Sequence, residues 1–131
     1  MFALDTNTLI FYFKGIGRVS HHLLQTPPRD IALPAVVLYE LEVGIRRLDQ
    51  PNKRRQQLAE FLRLITILPF DAKAALAAAE VRTTLERQGQ GIGPLDTLIA
   101  GTALGHGAIL VTHNSGEFTR VQGLRCVDWF D

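Results

Sequence analysis

Three acidic residues lie close to the ends of apolar segments: Asp5, Glu40 and Asp96. Asp5 follows the apolar run "FAL", Glu40 comes two turns into a predicted helix after "IALP", and Asp96 lies in the first turn of a helix that begins after "GIG". Grouped carboxylates raise each other's pKa unless a cation neutralises them. Their oxygen atoms suit Mg²⁺ or Mn²⁺, which activates water and stabilises charge on a phosphodiester. If the fold groups these acids, the pattern indicates metal-dependent cleavage of a phosphodiester.

Each acid also has a purely structural explanation. Asp5 could cap the helix that follows it, and Asp96 could complement the positive end of its helix. Glu40 could be a solvated helix residue. Helical spacing does not choose between Glu40 and Glu42, because both flank the apolar stripe of their helix at similar angles. Only a fold that brings three acids to one edge favours a metal site over these explanations.

Other catalytic and binding motifs are absent from the sequence. His21 and His22 are adjacent and point to different sides of a helix, and neither HExxH nor CxxC occurs, so zinc is not expected. The segment "GQGIG" (89–93) follows a helix, which is the wrong context for a phosphate-binding loop. Cys126 is the single cysteine, which excludes an internal disulfide framework and leads us to expect a cytoplasmic protein.

The elements that must position the acids alternate along the chain. We predict strands at 2–5, 30–34, 64–70, 108–112 and 124–129. We predict helices at Thr6–Lys14 (ended by Gly15), 17–26, from Pro34 to the break at 49–52, through 58–62, after an N-cap at Asp71, and at 95–105. The apolar face of the third helix is predicted to comprise Val37, Leu38, Leu41, Ile45 and Leu48, and that of the fifth to comprise Ala72, Ala75, Leu76 and Ala79.

Apolar strands that alternate with helices indicate an α/β fold with a parallel sheet covered on both faces. The 131 residues and the hydrophobic fraction of 47% suit a single folded domain over 1–131. No apolar stretch approaches the roughly 20 residues that span a bilayer, and no secretory signal is expected. Functional residues in such folds gather outside the carboxyl ends of the strands, where Asp5, Glu40, Asp96 and "THNSGEF" are expected.

Four motifs occur in order along the chain: "LDTNTLI", "LYELEVG", "GPLDTLIAGTA" and "LVTHNSGEF". In this order and spacing the sequence resembles the PIN domain, and more narrowly the VapC family, the ribonuclease half of VapBC toxin–antitoxin pairs. The resemblance extends over essentially the whole chain, including the ending "GLRCVDW". It implies a PIN-like three-layer sandwich, with a parallel sheet of four to five strands flanked by helices.

The resemblance also implies which acids are functional. Asp5, Glu40 and Asp96 match the family's catalytic metal ligands, so the resemblance selects Glu40 over Glu42. They would hold one Mg²⁺ or Mn²⁺ ion, partly through water, and the bound water would cleave RNA to leave a 5′-phosphate and a 3′-hydroxyl.

Small polar residues surround these positions. Thr6, Asn7 and Thr112 stand where the family keeps residues that orient ligands or water. The sequence departs from the family where a fourth acid is common, because Asn114 stands there and Glu117 follows three residues later. Which of these two replaces the fourth acid stays open at this point. The missing charge favours chemistry with one metal ion.

Fourteen basic and thirteen acidic residues give a net charge of +1, so bulk charge does not decide whether nucleic acid is bound. Basic residues are concentrated in the segment 45–57, namely Arg46, Arg47, Lys53, Arg54 and Arg55. They could contact the RNA backbone or form a solvated helical surface. Arg18, Arg29 and His113 are further candidates for phosphate contacts.

The resemblance implies several partners. The substrate would be RNA, with the anticodon loop of initiator tRNA a target of the class, and its cleavage would inhibit translation. A VapB antitoxin would fill an apolar groove between the N-terminal helices and the helix at 51–63. The chain would form a homodimer, would contact operator DNA only through the antitoxin, and would have no membrane partner.

Two other functions are compatible with parts of the sequence. A haloacid-dehalogenase-type phosphatase would use Asp5 as a nucleophile in a D-x-D pattern, but Asn7 replaces the second acid and no matching late lysine occurs. A non-catalytic RNA-binding or interaction module with a PIN fold would be compatible with Asn114. The presence of all three principal acids argues against this second alternative.

Overall fold

The computed structural model describes residues 1–131 and has one five-stranded sheet at its centre. The strands are β1 (Phe2–Leu4), β2 (Ile31–Pro34), β3 (Thr66–Leu68), β4 (Ile109–Val111) and β5 (Cys126–Val127). All neighbours pair in parallel, in the order β3-β2-β1-β4-β5. Strands β2 and β3 are added on one side of β1, and β4 and β5 are added on its other side. The crevice outside the carboxyl ends of β1 and β4 is therefore the switch point where such sheets bind ligands.

Helices flank this sheet and confirm the predicted α/β class. They are α1 (Thr6–Lys14), α2 (Val19–Leu24), α3 (Ala35–Arg46), α4 (Asn52–Leu62), α5 (Ala72–Arg87), α6 (Pro94–Gly105) and α7 (Ser115–Phe118), with a 3₁₀ turn at Pro28–Asp30. None of the helices has the length and apolar character that crossing a membrane requires.

Several predicted boundaries are confirmed by their capping residues. Helix α1 ends at Gly15, whose φ of 67° is in the left-handed region, and its N–H donates to carbonyl oxygens of the last turn. Asp71 caps α5, because its carboxylate accepts a hydrogen bond of 3.1 Å from the backbone N–H of Ala74. The outer strands β3 and β5 are shorter than the predicted strands at 64–70 and 124–129. Leu48 lies beyond the end of α3 and is exposed.

The predicted apolar face of α5 is wrong. Its four members, Ala72, Ala75, Leu76 and Ala79, are exposed, and the buried residues are Ala74, Ala78, Val81 and Leu85. Helix α5 packs against α6 through its smallest side chains: a Cβ atom added to Gly101 would lie 2.5 Å from the Cβ of Ala78. Alanine occurs on every side of this helix, so the hydrophobic pattern did not identify the side that allows the closest approach.

Candidate active site

Asp5 lies at the carboxyl end of β1 and caps the helix that follows, which is one of its two predicted roles. Its backbone N–H donates to the carbonyl of Val111, which extends the pairing of β1 with β4 by one residue. Its Oδ1 accepts a hydrogen bond of 2.9 Å from the N–H of Thr8 and thereby caps α1. The residue is only 5% exposed. Burial raises the pKa of Asp5, although hydrogen bonds from Thr112 and Thr8 oppose the rise.

Glu40 projects from the second turn of α3 towards the same edge. Its Oε1 accepts a hydrogen bond of 2.7 Å from the hydroxyl of Thr6, the residue next to Asp5. Glu42 has a different environment, because it binds Arg46 at 3.0 Å and Arg55 at 2.9 Å. The structure thus separates the two glutamates that helical spacing left equivalent.

Asp96, in the first turn of α6, is the most perturbed acid. Burial, a hydrogen bond with Glu117 and the negative charges of Glu117, Glu40 and Asp5 raise the pKa of Asp96 to about 7. The hydrogen bond to Asp96 is also the main reason that the pKa of Glu117 is lowered. The two carboxyl groups thus share a hydrogen bond, and the pKa shifts favour Asp96 as its donor and Glu117 as its acceptor. Because the negative charges of Asp5 and Glu40 both contribute to the raised pKa of Asp96, the three predicted acids lie close together at one edge of the sheet.

The fourth position left open by the sequence contains a hydrogen-bonded pair. Asn114 Nδ2 donates to Glu117 Oε2 at 3.2 Å, and the backbone N–H of Asn114 donates to the hydroxyl of Thr112 at 2.9 Å. The backbone N–H of Gly93 donates to Glu117 as well. Glu117 thus lies beside Asp96, and Asn114 helps to hold it there. Asn7 is exposed, and its side chain makes no hydrogen bond within the chain.

The donor set suits a hard cation, because it consists of carboxylate oxygens with an excess of negative charge. Burial and mutual repulsion raise the pKa of Asp5 and of Asp96, and a cation would relieve both effects. No three His, Cys, Asp or Glu side chains are already arranged to hold one ion. The residues present therefore fit a divalent ion by charge and by donor type. Closing a coordination sphere requires side-chain movement or bridging water molecules.

The predicted basic residues are not equally available for RNA. Arg46 and Arg55 bind Glu42, and the guanidinium of Arg54 lies 5.3 Å above the ring of Phe13. Only Arg47 and Lys53 are exposed with no side-chain partner. Contacts within the chain thus engage three of the five basic side chains that were predicted to contact RNA.

Two features of the site were missed by the sequence. Asp128 follows β5 at the same sheet edge and accepts a hydrogen bond of 2.7 Å from His113 Nδ1. The rule that functional residues follow parallel strands would have identified Asp128. Arg120 donates to the carbonyls of Gln90 and Gly91 and so ties the loop before α6 to α7. Nothing in the sequence pattern indicated that second contact.

The fold and the acidic edge are those of the PIN domain, whose family model matches residues 2–124. A tRNA(fMet)-specific endonuclease VapC from Shigella flexneri is 37% identical over 128 residues, covering 98% of this chain and 97% of that protein. A crystal structure of VapBC2 from Rickettsia felis bound to a DNA fragment from their promoter matches with a TM-score of 0.91 at 32% identity, covering 98% of both chains. DNA-bound VapBC from Salmonella typhimurium matches with the same score and identity, covering 98% of this chain and 97% of the other. The chain belongs to the VapC family of PIN domains.

Proposed function

We propose that the chain is a divalent-metal-dependent endoribonuclease and the toxin of a VapBC toxin–antitoxin pair. One observation carries the proposal: Asp5, Glu40 and Asp96 converge at the switch point of the sheet, where the pKa of Asp96 rises to about 7. Such a cluster of acids binds a cation favourably, because the cation neutralises carboxylate charges that would otherwise repel one another. The name of the Shigella flexneri relative supports RNA as the substrate.

In this proposal Asp5, Glu40 and Asp96 hold one Mg²⁺ or Mn²⁺ ion, partly through water. The bound ion supplies a more acidic water molecule and neutralises charge on the phosphodiester. Thr6 holds Glu40, and Thr112 holds Asp5, so each carboxylate keeps its orientation as the substrate arrives. Asn114 and the N–H of Gly93 hold Glu117 beside Asp96. Glu117 accepts a hydrogen bond from protonated Asp96 in the metal-free site, and binding of the cation would release that proton to solvent. The cleaved RNA carries a 5′-phosphate and a 3′-hydroxyl.

The proposal extends to partners. A VapB antitoxin would cover the chain, a homodimer would be the unit that it binds, and operator DNA would be reached only through the antitoxin. The VapBC complexes from Rickettsia felis and Salmonella typhimurium, both bound to DNA, support this assembly. Cleavage of RNA such as initiator tRNA would inhibit translation, which places the proposed activity in the cytoplasm.

Cleavage of total cellular RNA by the purified chain tests the proposal, with Mg²⁺, with Mn²⁺ and with EDTA. We expect metal-dependent cutting that is lost in Asp96→Asn and in Asp5→Asn. The asparagine at position 5 retains an oxygen that can cap α1, so this variant separates loss of metal binding from loss of the helix cap. Circular dichroism of both variants checks that they are folded.

The outcomes separate the two candidate functions. Equal cutting by the parent and both variants, once a contaminating nuclease has been excluded by repurification, would refute the assigned roles of these acids. No cutting by the antitoxin-free chain under any metal condition would favour the non-catalytic RNA-binding or interaction module.

A further inference from the structure

His113 is fixed on three sides beside the acidic edge. Its Nδ1 donates to Asp128 at 2.7 Å, its ring stacks on Phe130 with centroids 4.3 Å apart and planes at 24°, and its edge meets Phe11 at 5.8 Å and 80°. The side chain nevertheless remains 43% exposed. Phe130 covers one face of the ring and Asp128 occupies one nitrogen, so these contacts leave the second ring face without a partner.

The support beneath His113 is rigid. The ring of Phe130 also packs on Phe11, with centroids 5.0 Å apart, and its carbonyl accepts a hydrogen bond of 2.8 Å from the N–H of Arg18. Asp128 is held in turn, because its second oxygen accepts the N–H of Phe130 at 2.8 Å. A Cβ atom at Gly17 would lie 2.7 Å from the Phe130 ring, so the backbone closes tightly around this aromatic group.

This platform adjoins the acids. His113 directly follows Thr112, whose hydroxyl binds Asp5, and it precedes Asn114, which holds Glu117. The charge of Asp128 is close enough to contribute to the raised pKa of Asp5. If the phosphate of one RNA nucleotide lies at the acidic edge, the base of the adjacent nucleotide would therefore be within reach of the His113 ring.

We propose that the exposed face of His113 stacks on an unpaired RNA base next to the cleaved phosphodiester, and so favours single-stranded or looped RNA. The inference rests on the proposed ribonuclease function and adds a determinant of substrate choice to it. Proteins that bind single strands place bases on aromatic faces, and every base has such a face. A phosphate contact by His113 is disfavoured because Asp128 engages Nδ1 and adds negative charge beside the ring.

Binding of a fluorescently labelled single-stranded RNA to the Asp96→Asn chain tests this role without cleavage. Adding His113→Ala should weaken binding about 5- to 150-fold, the fold-change that corresponds to the usual cost of losing one base stack. His113→Phe retains an aromatic face and should bind close to the parent chain. His21→Ala removes an exposed histidine on α2 and serves as the matched control. Thermal unfolding of each variant checks that the platform is intact.

The salt dependence of binding separates stacking from a phosphate contact. Stacking predicts that His113→Ala and the parent chain have the same slope of log affinity against log salt. A slope smaller by about 0.7, together with equally weak binding by His113→Phe, would instead identify a phosphate contact and overturn the proposal. Unchanged affinity in His113→Ala would overturn it as well.

A scan of RNAs that each carry one abasic position identifies the stacked base. At that position the difference between His113→Ala and the parent should disappear, because there is no base left to stack; a difference that persists at every position would contradict the inference. Its failure is distinguishable from failure of the proposed function, because metal-dependent cutting by the wild-type chain is measured separately. If that chain neither cuts nor binds RNA, both proposals fail together.

Discussion

The carboxyl pair of Asp96 and Glu117 shows how position, rather than residue type, sets acidity at this site. Asp96 is half-buried, and its pKa rises to about 7, whereas the pKa of Glu117 falls because Asp96 donates to it. Two carboxyl groups at hydrogen-bond distance share one proton, since ionising both would place like charges together.

This pair makes the stability of the metal-free chain depend on pH. The native pKa of Asp96 lies above its ordinary value of 3.8, so the native state binds more protons than the unfolded state between about pH 4 and pH 7. The free energy of unfolding should therefore fall as pH rises through this window. Urea unfolding in EDTA from about pH 5 to about pH 8 measures it. Added Mg²⁺ should stabilise the chain more at about pH 8 than at about pH 5, because it neutralises the negative charge that forms when Asp96 ionises.

The variant Asp96→Asn identifies the source of that dependence. It removes the titrating group, so its free energy of unfolding should vary less with pH than that of the parent. Glu80→Gln is the matched control, because Glu80 is an exposed acid on α5 that makes no ion pair. A pH dependence in Asp96→Asn equal to that of the parent would refute the assignment.

At the scale of elements, the contact between α5 and α6 places Asp96. Gly101 meets Ala78, and Gly105 meets Ala74, at distances that leave no room for a Cβ atom. Asp96 lies on the same helix, within two turns of Gly101. The close approach of the two helices therefore also determines where the Asp96 carboxylate lies relative to the other acids at the sheet edge.

Gly101→Ala should therefore separate the two helices and lower the free energy of unfolding by about 1–3 kcal/mol, the usual cost of overpacking a core. Because α6 shifts, metal-dependent cleavage should fall as well. Gly44→Ala is the control within another helix: nothing lies within 4 Å of its added Cβ, and alanine favours helix, so stability should rise slightly. Urea unfolding and the cleavage assay test both variants. A Gly101→Ala chain as stable and active as the parent would contradict this account of the packing.

The elements also explain which parts of the structure were predictable. Strand β1, helix α1 and the caps Asp5, Gly15 and Asp71 were predicted because each depends on local backbone chemistry. The buried side of α5 was not, because it depends on glycines of another helix. The grouping of the three acids followed from strand topology, whereas the shared proton of Asp96 and the platform under His113 arise from contacts between distant segments.

At the scale of the whole molecule, the net charge of +1 conceals an uneven distribution. The negative charge gathers at the switch point of the sheet, and the basic segment 45–57 is partly neutralised by Glu42. Within this segment the basic side chains without a partner are therefore fewer than the sequence implies, namely Arg47 and Lys53.

Substituting Arg47 and Lys53 together by alanine should weaken RNA binding and reduce its salt slope by up to about 1.4, since each lost phosphate contact in a single strand removes about 0.7. Fluorescence titrations at several salt concentrations measure both quantities. Lys73→Ala with Arg87→Ala, on α5, removes the same charge elsewhere and should change the slope less. If the two double variants behave alike, RNA is attracted by overall charge and not by this segment.

The order of strands in the sheet has a consequence for synthesis on the ribosome. Strand β1 is made first but needs β4 on its open side, and the acids at positions 5, 40, 96 and 117 come from four separate stretches of chain. A nascent chain that has not yet extended beyond α6 lacks β4, whose Val111 carbonyl accepts the backbone N–H of Asp5, and lacks Glu117, which lies beside Asp96. The proposed site is therefore complete only after β4 and the segment that follows it have been made.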